Sequence, residues 1–196
     1  MSTLPQDVYQ ESGFRLPLPK RDEMDEHGKK MYDKTASRNI RSLQGNSGIN
    51  LYSPMIAEYE TALNQYLRFE SGLSGPVREL AILVISREMD SQHIWTAHEP
   101  MALKEGLSQE IIDIVKYHKA AGGLPETEEL VIQLGRELFR QQKVTSETFA
   151  RALNMFGARQ LVNLVTLIAN YAAVAIKFRA FDMQVRLDET PLLPIP

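Results

Sequence analysis

The residues best suited to chemistry lie between Glu79 and His98. The stretch RELAILVISREMDSQHIWTAHEPMALKEGL, Arg78 to Leu107, puts one carboxylate, Glu79, early on an otherwise apolar helix. A polar break at Asp90-Ser91 separates it from a second helix bearing His93, Trp95 and His98. Two of the chain's four histidines and its one tryptophan thus fall within a few residues of each other. Buried carboxylates are rare without a partner. Folding the second helix back on the first lets Glu79 meet His98 near the open end of the hairpin. A carboxylate that orients an imidazole and charges it near pH 7 is a proton-transfer device. The same pair could serve instead as an ion pair that holds the helices together.

Helical geometry narrows the options. Residues four apart share a face, which aligns Ile94, Trp95, His98, Met101 and Ala102. His93 lies roughly 140° from His98 around a straight helix, so the two imidazoles do not chelate one metal ion, and no metal site is expected. Pro100 removes the hydrogen bond to the Thr96 carbonyl and predicts a bend near His98. The sequence has no glycine-rich phosphate loop, no serine nucleophile elbow and no His/carboxylate cluster at metal spacing. Any enzyme built here works by acid–base chemistry on a small molecule without a cofactor. His27 reads as a solvated surface residue, and His118 as a helix C-terminal residue without a role.

The elements that must position these groups read as helices throughout. With 196 residues, 43% hydrophobic and 24% charged, the chain can bury a core of its own. A net charge of -3 with no Lys/Arg-rich run argues against nucleic acid. The absence of cysteine excludes disulfides, thiolate nucleophiles and cysteine-based zinc sites. No secretory leader pattern opens the chain, and the apolar stretch from Leu161 to Phe181 is interrupted by Asn163, Asn170, Lys177 and Arg179. A soluble cytoplasmic protein without membrane contact is the expectation. Residues 1–20 read as an extended arm, 21–187 as one all-α domain and 188–196 as a docking tail that packs on this subunit or a neighbouring one. Within the domain, helices are predicted from Asp22, from Ser53 to Glu70 with Met55, Tyr59, Ala62, Leu63, Tyr66 and Leu67 as a core stripe, and from Ser74. Further helices follow from Ser108 to Lys119, from Pro125 to Gln142, from Thr145 to Met155 and from Gly157 to Leu187. Residues 38–54 read as a long loop, a candidate pocket wall.

At the hairpin, Arg78-Glu79 followed by His98 and Gly106-Leu107 resembles the carboxymuconolactone decarboxylase-like family, within the alkylhydroperoxidase D-like superfamily. The stretches RLPLPKRDEMDEHGKKMYD, GNSGINLYSPMIAEY and LVNLVTLIANYAAVAIKFRAF extend the likeness over most of residues 15 to 185. The peroxidase branch has a Glu, then C-x-x-C, then a His; these positions are Glu79, Ser91, Ile94 and His98 here, so thiol peroxidase activity is out. Cysteine-free members carry Tyr-Glu-Trp before the His, where this chain has His93-Ile94-Trp95. The resemblance implies an all-α helical bundle around a central hairpin, assembled as a homotrimer or homohexamer with pockets near subunit contacts. It also implies cofactor-free decarboxylation of a γ-carboxylated unsaturated lactone in aromatic catabolism. His98 would be the general acid and Glu79 its orienting partner. His93, Trp95 and Ser91 would face the substrate, and Arg41 would hold its carboxylate. The alternative is a non-catalytic helical oligomer or binding protein that keeps the scaffold.

Overall fold

The computed structural model describes residues 4–38, 40–186 and 188–195. Among them are eight α-helices and no strand, so the fold is all-α. The helices are α1 (Glu26–Arg38), α2 (Asn46–Asn50), α3 (Pro54–Gln65), α4 (Gly75–Glu88), α5 (Gln92–Lys104), α6 (Gln109–Lys116), α7 (Glu126–Arg136) and α8 (Ser146–Ala180).

Helix α4 is the axis. Every residue from Arg78 to Arg87 is buried, because the helix packs on α5, α7 and α8 at once. That enclosure accounts for a sequence apolar nearly all round. Its buried hydroxyl, Ser86, donates back to the Ile82 carbonyl at 2.6 Å, so the helix carries no orphan polar group there. Asp90 takes a φ of 46° and the Ser91 amide donates to the Ser86 carbonyl at 2.7 Å, which turns the chain into α5. Helix α5 continues through Pro100 to Lys104.

Several sequence expectations change. Residues 38–54 are not a loop: a 3-10 turn, Ile40–Gln44, leads into α2, and the Gly48 amide bonds to the Gly45 carbonyl. A single 3-10 turn, Arg21–Glu23, precedes α1, which starts at Glu26 instead of Asp22. The apolar stripe predicted to bury α3 faces outward: Met55 and Leu63 are exposed and Tyr59 is 62% exposed, while Leu67 in the following turn is buried. Helix α3 is therefore inverted, with its polar side turned inward. His27, expected in solvent, is half-buried with Nε2 3.2 Å from Glu58.

Helix α8 merges two predicted helices across Gly157, where φ 69° and ψ 164° break the helical path. It ends at Ala180; the predicted end at Leu187 lies outside the described residues. Asp182 (φ 47°) reverses the chain so that Gln184 donates to the Gly13 carbonyl and Phe181 accepts from Arg15. The N-terminal segment, read as an arm, is thus part of the core: Phe14 is fully buried. The C-terminal segment packs on its own subunit. Leu193 enters the core, the Leu192 amide donates to Thr96 Oγ1, and Arg87 donates to the Pro194 carbonyl.

Close approach of α7 to α4 depends on Gly135, where a Cβ would stand 2.4 Å from Val84 Cγ1. Gly135→Ala is expected to lower the unfolding free energy by about 1–3 kcal/mol, despite alanine's better helix propensity, as measured by urea unfolding.

Candidate active site

His98 points from α5 toward Glu79 on α4, with Nδ1 2.7 Å from Oε2. Its ring also meets Tyr171 of α8 edge-on, at 5.2 Å between centroids. Glu79 is 1% exposed, and its other oxygen takes Arg78 Nε at 3.1 Å and faces Arg68 at 3.8 Å. Burial by itself pushes the Glu79 carboxyl up. The hydrogen bond to His98 and the neighbouring cations outweigh that and hold it below the usual carboxylate range. At His98 burial is also the largest influence; it outweighs Glu79 and holds the imidazole below its ordinary value. The pair is therefore a carboxylate with a neutral imidazole.

The tautomer follows. An ionised carboxylate can only accept, so Nδ1 carries the proton and donates it to Glu79. Nε2 is left as a lone pair. This reverses the expectation of an imidazole charged near pH 7: at rest His98 is set up as a base.

A cavity of about 220 Å³ opens beside it, bounded by α2, α3, α5 and α8. His93 and Ile94 line it together with His98. The His93 Nδ1–H donates to the Gln184 carbonyl at 3.1 Å, its ring stands edge-on to Phe178 at 4.9 Å, and burial keeps it neutral as well. Tyr171 also lines the cavity; burial pushes its hydroxyl up to about 12, so it stays protonated. No group of three or more His, Asp or Glu side chains among the described residues could hold a metal ion.

Three residues expected at the substrate lie elsewhere. Trp95 is fully buried toward α6, because its indole N–H needs a buried acceptor and finds one in Glu99. Lys116 Nζ completes that group, 2.9 Å from Glu99 and 5.8 Å over the indole ring. Ser91 is buried at the start of α5, held in the interhelix turn, and does not reach the cavity. Arg41 lies 3.1 Å from Asp188 at a separate cavity near Gln184 and Arg186, so it cannot hold a carboxylate at His98. Conversely, sequence reasoning missed Glu60, Asn46 and Asn50, which line the cavity, and Lys177 behind them. The signal was the polar side of α3, obscured by reading its apolar side as core.

A carboxylate–imidazole pair buried between its two central helices thus marks this all-α bundle as one organised around a single polar hairpin. Residues 54–134, which run from α3 into α7, match the model of the carboxymuconolactone decarboxylase family. No curated protein matches the chain.

At pH 7, nitrogen-15 NMR should show His98 neutral with its proton on Nδ1. Glu79→Gln should lower the His98 pKa further, since Glu79 is the group that raises it. Because the folded value lies below the unfolded 6.5, the unfolded chain binds the proton more readily. His98 therefore withdraws stability as pH falls below 6.5, and urea unfolding across that window should show the decline.

Proposed function

We propose that this protein is a cofactor-independent enzyme that moves a proton on a small lactone or other carbonyl compound. The observation that carries this reading is a cavity of about 220 Å³ at the open nitrogen of a neutral, carboxylate-anchored imidazole. His98 Nε2 would take a proton from a carbon next to a carbonyl. The imidazolium so formed is stabilised by Glu79, 2.7 Å from the other ring nitrogen, and can return the proton to a second carbon. Glu79 acts through His98 and is a positioning residue.

Decarboxylation of a γ-carboxylated unsaturated lactone is the carboxy-lyase form of this chemistry, and the family match supports it. There the carboxylate leaves as CO2, the electrons pass into a dienolate, and His98 must already hold the proton that the dienolate takes. A carboxylate bound against Nε2 would favour that imidazolium. The protein would work in the cytoplasm as a homotrimer or homohexamer. Assembly is supported by two outward apolar strips, Met55, Ile56, Tyr59 and Leu63 on α3 and Phe149, Leu153, Val162 and Val165 on α8. Helix α8 is long and apolar enough to cross a membrane, but half of its most apolar window is buried in the bundle, which suits a soluble core helix.

A screen of unsaturated lactones, with and without a carboxylate, for absorbance change and CO2 release tests the reading. On any substrate found, His98→Ala should lower kcat by roughly 10²–10⁴ while light scattering shows an unchanged particle mass. Undiminished turnover would sink the role of His98, and loss of assembly instead would mark the pair as structural. Val162 is 64% exposed, so Val162→Glu should leave the helical circular dichroism intact and shift the particle toward the monomer mass.

A further inference from the structure

The wall of the cavity opposite His98 carries information about what binds there, independently of the base. Glu60 on α3 takes three donors on Oε2: Lys177 Nζ at 2.5 Å, Asn50 Nδ2 at 2.8 Å and Asn46 Nδ2 at 3.3 Å. Lys177 also donates to Asn50 Oδ1 at 2.9 Å. Burial pushes the Glu60 carboxyl up, but these donors hold it below the usual range, so it is ionised. Lys177 is the cation nearest this wall, and it is occupied by Glu60. Among the described residues no Lys or Arg lines the cavity, and both imidazoles are neutral there.

What remains is uncharged hydrogen-bonding capacity. The side chains of Ser47, Thr61, Asn64 and Asn170 line the cavity, and among the described residues they have no hydrogen-bond partner in the chain. Half-buried polar groups without protein partners lose free energy unless a ligand or water meets them. The facing wall is apolar, from Ile94, Ala97, Val174 and Phe178. The volume equals that of about seven water molecules, enough for one small ring with its substituents.

Building on the acid–base reading in its proton-transfer form and not its carboxy-lyase form, we propose that Glu60 is a specificity-determining residue: by neutralising Lys177 it tunes the cavity to an uncharged ring compound bearing hydroxyl and carbonyl groups, and against a carboxylated one. The hydroxyls meet the amides of α3 and α8, and the apolar edge of the ring lies on Ile94 and Val174. A carboxylate on the same ring would lie close to Glu60 with no free cation to compensate it.

The test is a pair of binding titrations by NMR, with D-ribono-1,4-lactone as the uncharged polyhydroxyl probe and paraconate, a γ-lactone with one carboxylate, as the charged probe. In the unmodified protein the ribonolactone should bind roughly tenfold tighter or more. Glu60→Gln keeps the shape but frees the Lys177 charge, and should shift the preference toward paraconate by roughly tenfold or more. Asn64→Ala removes a side chain without a partner in the chain, so it should leave the fold unchanged and weaken ribonolactone alone. The inference is overturned if paraconate binds the unmodified protein as tightly as ribonolactone, if ribonolactone does not bind at millimolar concentration, or if Glu60→Gln leaves the preference unchanged. These titrations need no turnover. A failed lactone screen with the preference intact would sink the enzyme and keep the specificity, whereas turnover confined to carboxylated lactones with tight paraconate binding would do the opposite.

Discussion

The molecule depends on a carboxylate buried away from water. Moving an ion such as Glu79 into the interior costs on the order of several kcal/mol unless it is matched by charge and hydrogen bonds. The compensation comes from three directions: His98 on α5, Arg78 beside it on α4, and Arg68 from the turn after α3. Arg78 is itself tied to the Arg68 carbonyl at 2.9 Å and to Glu105 at 3.2 Å. The Glu105 carboxylate in turn presses on Gly75, where a Cβ would stand 1.7 Å from Oε2. A single chain of polar contacts, Glu105–Arg78–Glu79–His98, thereby fixes the start of α4 against the middle and the C-terminal end of α5. Such a pair orders the imidazole as a by-product of satisfying the acid, and so one arrangement supports both stability and proton handling.

Helix α5 carries a second buried carboxylate, Glu99, and it differs from Glu79 in its partner. Glu99 is closed on every side by Trp95 and Lys116 and joins α5 to α6. Glu79 has instead a titratable partner whose second nitrogen is open to the cavity. The two faces of one helix thus differ: one forms an ion pair with α6, the other sets His98 beside the cavity.

What the sequence made legible follows the same physical division. Glu79 could be paired with His98 from sequence because a lone acid on an apolar helix must find a partner, and the hairpin left one in reach. The all-α fold and the turn at Asp90-Ser91 were likewise local and periodic signals. The protonation state was not legible, since it turns on burial outweighing Glu79 at His98, a property of the packed interior. Trp95 was assigned to the substrate from the family's Trp before the His and from the face it shares with His98, whereas the acceptor its indole needs lies on α5 itself, at Glu99. Helix α3 was inverted for a related reason. An apolar stripe marks a face that will be covered, without saying whether core or another subunit covers it. Residues 38–54, rich in Gly, Asn and Ser, read as loop because α2 has only five residues and owes its form to packing beside α3 and α8.

The cavity is assembled from parts of different reach along the chain, and this bears on what the family match can say. The base, its orienting acid and Glu60 lie inside the matched residues 54–134. Asn46, Asn50, Asn170, Phe178 and the Lys177 behind them lie outside it. The family match therefore covers the buried Glu79–His98 pair, whereas half of the residues that line the cavity are supplied by α2 and α8. Of the polar side chains on that wall, Asn46 and Asn50 are tied to Glu60, whereas Ser47, Thr61, Asn64 and Asn170 have no hydrogen-bond partner among the described residues. Such a wall can change its ligand at little cost to the fold, because replacing an unpartnered amide leaves no buried group orphaned. The family match thus bears on the hairpin that holds His98 and not on the α2 and α8 side of the cavity.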